Sequence, residues 1–475
     1  MVNCKIQREV FSKSEIAELH RMATTSLRTF LQNAARLMEN ANTQQHVTIC
    51  VGNEASDVDS IVSSLTCAYL RETLGSRSSS SISRSVGSIG GKAKGEEQSH
   101  RFFVPVVAVP RSILKLRREA QVLLQMVGLE LEDLICMEDI DLGKLSTAGS
   151  LQGFVLTDHN QLSSSTVARL PGGDDEAAAK VEMILDHHKD LGAYPLLSDG
   201  SVRRIAFDNE TNKATAGSAC TLISELMTEL SPSGSDGDSN INRDGLQDVS
   251  VLLQGTICLD TQNMDPGGVG TERDAQALLH LAPYVDGKVD RETCFTAVRD
   301  AKYNPAFWEE LSATDCLNID YKQFKQADSS SSEVGIASTL LPLSSFVQKS
   351  DVLLALSSFI EKPGLEADSS SGVKVKALDA LLVMSSVFLP SYRRELLVAS
   401  FDEDLHNKLL AFLTVPAHDL DLTILQLSTS ASSDGAVEDI LVSGRSLYMQ
   451  WYLQGNSRAS RKQLAPLVQE FYKSN

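Results

Sequence analysis

The sequence lacks the features that mark membrane-spanning, secreted and disulfide-stapled proteins. Aromatic residues make up only 5% of its 475 residues. No apolar run approaches the ~18–20 residues of a transmembrane helix, and the N-terminus has no apolar stretch typical of a secretory signal. The eight cysteines are scattered without a C-x-x-C pair, which favours reduced thiols in the core. These absences predict a cytoplasmic protein with no membrane association.

Positive charge is also in short supply. Lys and Arg number 43 against 62 Asp and Glu, so the net charge is −19. An acidic surface argues against non-specific binding to nucleic acid or anionic membranes, but it allows a local basic pocket for a polyanion. Hydrophobic residues make up 42%, an ordinary globular share. Nothing in the sequence indicates an oligomeric state.

Short apolar strands alternate with helical patterns along the first 300 residues, which predicts an α/β fold with a mainly parallel sheet and flanking helices. A smaller α/β domain is expected at 301–475, with the active site in a cleft between the two. The predicted strands are 46–52, 103–109, 153–157 and 181–185. The predicted helices are 14–40, one from about Ser60, 113–127, 216–230 and one around 247–258.

Five Ser/Gly-rich stretches interrupt this pattern, at 76–100, 231–245, 328–333, 366–373 and 427–436. The first has too little apolar content to fold, so it is predicted to be a disordered insertion in the first domain.

Four acidic or histidine-containing motifs follow apolar segments, where an α/β fold places its ligands. They are G-N-E-A-S-D-V-D-S at 52–60, T-D-H-N at 157–160, D-H-H at 186–188 and C-L-D-T-Q-N-M at 258–264. Any one aspartate after a strand is commonly a helix cap or turn former. Together, however, so many carboxylates repel one another unless cations neutralise them. Carboxylates with one or two imidazoles suit Mg²⁺, Mn²⁺ or Co²⁺.

This ordered set of motifs resembles the DHH phosphoesterase superfamily. The first motif is similar to that of yeast-type exopolyphosphatases and prune proteins, as are A-G-S-A-C-T at 216–221, L-D-T-Q-N-M at 259–264 and A-K-Y-N at 301–304. D-Y-K at 320–322 and S-R-K-Q-L-A-P at 460–466 resemble motifs of the associated substrate-clamping domain. The resemblance covers nearly the whole chain, with the Ser-rich stretches as insertions.

The resemblance implies two divalent metal ions that activate a water for attack on phosphorus. Its implied metal ligands are Asp57, Asp59, Asp158, His187 and Asp260. Asp158 and His188 are the implied catalytic residues, with His188 contacting the phosphate or transferring a proton. The implied substrate-binding residues are Asn53, His188, Lys322, Arg461 and Lys462.

Other basic residues have simpler interpretations. The run Lys115, Arg117 and Arg118 is best interpreted as a solvated helix face, although with Arg445 it could extend a track for a polymeric anion. The S-R-K string alone would also suggest a solvated helix end, and the upstream metal motifs favour substrate binding instead.

Asn53 is the main departure from the related family II inorganic pyrophosphatases, which carry His there. Asn cannot supply an imidazole nitrogen, so one metal position should be weaker or filled differently. The intact D-H-H, which animal prune proteins alter, favours an active hydrolase. The predicted function is release of terminal orthophosphate from inorganic polyphosphate or another small phosphoanhydride. The alternatives are an inorganic pyrophosphatase, a prune-type nucleotide phosphodiesterase and a prune-like interaction protein.

Overall fold

The structure, a computed structural model, describes most of the chain. The described residues are 26–39, 45–75, 101–197, 199–200, 202–231, 243–325, 333–362, 377–387, 391–427, 440–442 and 444–474. The predicted disordered insertion at 76–100 lies outside these ranges, as do residues 14–25 of the first predicted helix and nearly all of the other Ser/Gly-rich stretches. The chain divides into two compact units, with the boundary between Lys302 and Tyr303.

The first unit has an α/β architecture. Its strands are β1 (His46–Val51), β2 (Arg101–Val106), β3 (Leu151–Thr157), β4 (Val181–Asp186), β5 (Arg203–Ile205), β6 (Phe207–Asp208) and β7 (Lys213–Ala214). Its helices are α1 (Leu27–Glu39), α2 (Val58–Leu70), α3 (Arg111–Leu114), α4 (Arg118–Gln125), α5 (Leu142–Thr147), α6 (Ser164–Ala168), α7 (Gly173–Lys180), α8 (Ala219–Leu230), α9 (Arg243–Asp260), α10 (Glu272–Val285) and α11 (Arg291–Tyr303).

Five of these strands form one sheet in the order β2-β1-β3-β4-β5, with every neighbouring pair parallel. Alternate residues of β1 enter two different apolar cores. Ile49 belongs to the core on one face and Cys50 to the core on the other. Burial on both faces explains why these strands appear in the sequence as continuous apolar runs. The predicted mainly parallel sheet is therefore confirmed.

Three element predictions in this unit were inaccurate. The helix predicted at 216–230 begins at Ala219, because Ser218 caps it. The second strand runs from Arg101 to Val106, slightly before the predicted 103–109. The predicted helix at 113–127 is two short helices, because Arg117 leaves the helical conformation with φ −98° and ψ 65°. Its side chain is 3% exposed, so it is not part of a solvated face.

The second unit is also α/β. Its strands are β8 (Asp320–Lys325), β9 (Glu333–Thr339), β10 (Ala380–Val387), β11 (Arg393–Ser400), β12 (Leu422–Ile424), β13 (Ile440–Val442) and β14 (Arg445–Gln454). They form a separate sheet in the order β12-β14-β11-β10-β9-β8, with β13 paired with β14. Strands β9 and β10 are parallel, and the other pairs are antiparallel. The helices are α12 (Pro305–Glu310), α13 (Ala313–Asn318), α14 (Leu343–Phe346), α15 (Val352–Glu361), α16 (Glu403–Leu413) and α17 (Arg461–Ser474).

A helix that crosses a membrane must be long and predominantly apolar. Among the described residues, no helix is both long enough and apolar enough to cross a bilayer.

Candidate metal centre

The candidate metal centre of the first unit lies where its parallel strands end. Val51 of β1 pairs with Leu156 of β3, and Thr157 pairs with Leu185 of β4, so these strands end side by side. Gly52 follows β1, and a Cβ atom there would lie 2.5 Å from the main-chain oxygen of Ser60. Glycine thus lets α2 begin directly against the strand end, which brings the first motif to this edge.

Asp158 occupies the middle of this edge. Its main-chain N–H donates to Leu185 O at 2.9 Å, and its φ of +62° lies in the left-handed region that Asp tolerates better than most residues. The carboxylate is 3% exposed. Its Oδ2 accepts hydrogen bonds from Ser60 Oγ at 2.6 Å and from Asn53 Nδ2 at 2.7 Å. Oδ1 remains directed toward the two histidines that follow β4.

His187 presents one defined nitrogen to the carboxylates. Its Nδ1 lies 3.1 Å from Ala216 O, and because a carbonyl only accepts, Nδ1 must carry the hydrogen. The opposite nitrogen, Nε2, lies 3.3 Å from Asp158 Oδ1 and 3.7 Å from Asp59 Oδ2. A metal-ligating histidine is commonly oriented in this way by a hydrogen bond from its second nitrogen. One ligand atom each from Asp158, His187 and His188 lies within 4.8 Å of the others.

Asp59 is held by the N-terminus of α8. Its oxygens accept hydrogen bonds from Ser218 Oγ at 2.9 Å, Ala219 N at 2.7 Å and Cys220 N at 3.0 Å. Main-chain N–H groups at a helix start carry partial positive charge and stabilise an adjacent carboxylate. These hydrogen bonds compensate the buried Asp59 carboxylate for its loss of contact with water.

Asp57 and Asp260 complete the acidic group. Asp57 caps α2, with its Oδ1 accepting from Ser60 N at 3.1 Å. Asp260 is the last residue of α9, so it follows a helix and not a strand. Its Oδ2 is buried and has no hydrogen-bond partner among the described residues. Burial and the charges of Asp59 and Asp57 raise its pKa well above the usual range.

The electrostatics of this group fit a bound cation. Burial and the charge of Asp59 raise the pKa of Asp158 to about 6. Burial alone would lower the pKa of His187, but its hydrogen bond to Asp158 and the charges of Asp59, Asp158 and Asp260 raise it to about 10. A proton on His187 therefore offsets part of the negative charge, and a divalent cation would offset more. The orphaned Asp260 oxygen and the oxygen-rich donor set support the same fit.

His188 is held differently from His187. Its Nδ1 lies 2.9 Å from Asp186 Oδ1, and its side chain is 43% exposed. Burial alone would raise the pKa of Asp186, but the hydrogen bond and charge of His188 and the hydrogen bond from Asn160 lower it to about 2. Asp186 is therefore ionised and accepts the Nδ1 hydrogen, which leaves Nε2 of His188 without that constraint. The sequence placed Asp186 in the D-H-H motif but suggested no role for it.

Asn53 lies beside Asp158, but its amide is already engaged. Nδ2 donates to the main-chain and side-chain oxygens of Asp158, and Oδ1 accepts from Ala55 N at 2.8 Å. These contacts orient Asp158. The loop that carries Asn53, between β1 and α2, is also held by buried Arg117, which donates to the main-chain oxygens of Ala55 and Ser56. Sequence analysis missed this role because Arg117 lies in a run of basic residues.

The basic residues predicted to bind substrate lie in the second unit. Arg461 begins α17 and donates to Asp320 O at 3.0 Å and Asp320 Oδ1 at 2.7 Å. Lys322 is exposed and lies two residues beyond Asp320 on β8, so both residues are on the same face of the sheet. The structure thus brings the D-Y-K and S-R-K motifs together. The side chain of Lys462 lies outside the described part of the chain.

Models of two protein domains match the chain, one in each of its compact units. The model of the DHH family, N-terminal domain, matches residues 47–249, and the DHHA2 domain model matches residues 306–471. The chain is 27% identical to "Exopolyphosphatase PRUNE1" of Rattus norvegicus over 426 residues, 89% of this chain and 74% of the relative. It is 25% identical to "Putative exopolyphosphatase" of Schizosaccharomyces pombe over 273 residues, 58% of this chain and 59% of the relative.

Among solved structures, a putative family II inorganic pyrophosphatase from Methanococcus jannaschii aligns with a TM-score of 0.46 and 17% identity, over 90% of this chain and 99% of that one.

The matched DHH and DHHA2 domain models define a phosphoesterase of the DHH type. The chain belongs to the DHH superfamily, in the prune and exopolyphosphatase branch that carries a C-terminal DHHA2 domain.

Proposed function

We propose that this protein is a metal-dependent phosphoanhydride hydrolase that releases terminal orthophosphate from inorganic polyphosphate. The observation that carries the proposal is the convergence of Asp158, His187 and His188, whose ligand atoms lie within 4.8 Å of one another. Asp59 lies against the same imidazole of His187. The names of the rat and fission yeast relatives support polyphosphate as the substrate class.

Two divalent cations, Mn²⁺ or Mg²⁺ with Co²⁺ as a further candidate, are proposed for the acidic group. Their proposed ligands are Asp57, Asp59, Asp158, His187 and Asp260. The Nε2 atom of His187 faces Asp59 and Asp158, so one imidazole nitrogen joins a set of carboxylate oxygens, which suits these ions. When bound, such cations lower the pKa of water and neutralise phosphate charge.

The proposed catalytic contribution of His188 follows from its contact with Asp186. Because Nδ1 donates to an ionised carboxylate, Nε2 is available to contact a phosphate oxygen or to exchange a proton. Asp158 contributes a carboxylate whose Oδ1 faces both histidines. Its second oxygen is held by Asn53 and Ser60, so the orientation of Oδ1 is set before substrate binds.

For the second unit, we propose that Lys322, Arg461 and Lys462 bind phosphate oxygens. The fork of Arg461 is held by Asp320, next to Lys322 on the same strand. A guanidinium and an ammonium together match the oxygens of a polyanion. This assignment gives the acidic chain, of net charge −19, a local basic site for a negatively charged substrate.

The test is phosphate release by the full chain with Mn²⁺ or Mg²⁺ from long polyphosphate, tripolyphosphate and pyrophosphate, with Asp158→Asn as the inactive control. We expect metal-dependent release from the two polymers and little from pyrophosphate. Release mainly from pyrophosphate would replace the proposal by a pyrophosphatase. If none of the three is hydrolysed with either metal, the hydrolase assignment fails, and nucleotide substrates and partner binding become the leading alternatives.

A further inference from the structure

The segment 215–221 contacts both His187 and Asp59. Ala216 O accepts the Nδ1 hydrogen of His187 at 3.1 Å. Two residues further along the chain, Ser218 Oγ donates to the Asp59 carboxylate, as do the main-chain N–H groups of Ala219 and Cys220. A displacement of this segment would therefore move two proposed metal ligands together.

Asp274, at the start of α10, holds the same segment from another direction. It is 0% exposed. Gly217 N donates to both of its oxygens, at 3.0 and 2.9 Å, and Thr221 Oγ1 donates at 2.6 Å. Thr271 N and Thr271 Oγ1 donate at 2.7 and 2.8 Å.

These N–H and O–H donors stabilise the buried Asp274 carboxylate. No Lys, Arg or His in the described ranges forms an ion pair with it, so its hydrogen bonds must compensate for its burial. Gly217 fits closely at this point, since a Cβ atom there would lie 2.8 Å from Thr261 Cγ2 and 3.1 Å from Asp274 Oδ2. The segment is therefore constrained between Asp274 and the metal centre.

We propose that Asp274 is a positioning residue that orients His187 and Asp59 through the 215–221 segment. The proposal rests on the assignment of these two side chains as metal ligands. Asp274 itself contacts neither of them; it holds Gly217 between the carbonyl that orients His187 and the N–H groups that orient Asp59. Residues that hydrogen-bond a metal ligand directly typically change metal affinity by about 10–100-fold when mutated. Asp274 acts one hydrogen bond further from the ligands, so we expect an effect of about tenfold, at the lower end of that range.

The test uses Asp274→Asn in the full chain. An amide in place of the carboxylate puts an NH₂ group against main-chain and hydroxyl donors, so the hold on Gly217 weakens. Mn²⁺ affinity is measured directly by calorimetry, and hydrogen exchange of peptides covering 215–221 is measured in the metal-free protein. We expect Mn²⁺ to bind about tenfold more weakly and this segment to exchange faster.

Glu72→Gln is the matched control. Glu72 is also a buried carboxylate, 7% exposed, and it accepts a hydrogen bond from Phe103 N at 3.0 Å, outside the metal centre. We expect this variant to lose stability without a change in Mn²⁺ affinity or in exchange of 215–221. Equal losses of affinity in both variants would overturn the positioning role, because general destabilisation would then explain them.

Thr221→Val keeps the test decisive if Asp274→Asn does not fold. This nearly isosteric change removes one donor to Asp274 and touches no proposed ligand, so we expect a several-fold loss of Mn²⁺ affinity. Wild-type affinity in a folded Asp274→Asn variant, or in Thr221→Val if the former does not fold, would overturn the inference. If the wild-type chain itself binds no Mn²⁺, the proposed metal function fails first, and that result is distinct from wild-type-like binding by the variants.

Discussion

His187 Nε2 lies 3.3 Å from Asp158 Oδ1, and the opposite nitrogen of the same ring donates to the main-chain oxygen of Ala216. The two contacts leave one imidazole nitrogen and one carboxylate oxygen facing each other across a small gap. With a proton the pair is an ion pair, and with a divalent cation both atoms become ligands. Competition between protons and metal at this pair determines several measurable properties.

Mn²⁺ affinity should rise with pH. The metal-free protein holds a proton on His187 up to about pH 10, and Asp158 becomes protonated near pH 6. Metal binding must displace the first proton near neutral pH and both below about pH 6. We expect a gain in affinity of about tenfold or more per pH unit between about pH 7 and 9, because a proton on Asp260, whose pKa is also raised, would add to the dependence. The measurement is calorimetry in two buffers of different ionisation enthalpy. An affinity independent of pH in this window would contradict the pairing.

In the metal-free protein, prepared with a chelator, the contribution of His187 to the stability of the fold should depend on pH. Its folded pKa of about 10 lies above the ordinary value of 6.5. The folded state therefore binds the proton more tightly, and this stability is fully present below pH 6.5 and lost as the pH rises through about 10. The difference in unfolding midpoint between wild type and His187→Gln should shrink over that range. A constant difference would show that the ion pair contributes nothing.

Replacing Asp158 should separate catalysis from folding. Asn tolerates a φ of +62° and can still accept from Asn53 and Ser60, so Asp158→Asn should keep the fold. Loss of the ligand charge should lower the rate of phosphate release by roughly three orders of magnitude or more. Asp158→Ala should lose activity similarly but also cost about 1–2 kcal/mol of stability, because Ala tolerates the left-handed conformation poorly. Substantial turnover by a folded Asp158→Asn variant would refute the assignment.

Asn53→His tests the departure from the pyrophosphatase pattern. An imidazole at this position offers a nitrogen ligand that the amide, engaged with Asp158 and Ala55, does not. We expect tighter Mn²⁺ binding and a rise in the rate on pyrophosphate relative to tripolyphosphate, measured as the ratio of kcat/KM values. Unchanged ratio and affinity together would show that residue 53 does not determine this preference.

Arg461→Ala should weaken use of polyphosphate while leaving Mn²⁺ binding unchanged. A charge-assisted hydrogen bond contributes about 1.5–3 kcal/mol, so kcat/KM for tripolyphosphate should fall roughly 10–100-fold. Lys408→Ala is the control, since Lys408 is an exposed basic residue of the same unit that pairs with Asp404 on one helix. Equal effects of the two substitutions would indicate a general charge effect and not a specific contact.

Much of the fold was predictable because burial leaves a direct mark on the sequence. Strands β1, β3 and β4 are covered on both faces, so they appear as apolar runs, and the acidic motifs directly follow them. The separate C-terminal α/β sheet domain was also predicted correctly. The break at Arg117 was not predictable, because a basic residue inside an amphipathic pattern normally indicates a solvated helix face.

The amino-acid sequence was sufficient to predict which side chains lie at the ends of β1, β3 and β4, because the apolar runs mark these strands and the motifs directly follow them. The orientation of those side chains depends on the packed fold. Asp274 and Gly217 are 57 residues apart, and Asp59 and Ser218 are 159 apart. Hydrogen bonds between such distant residues depend on distances and directions that arise only after helices pack on the sheet, so no local pattern encodes them.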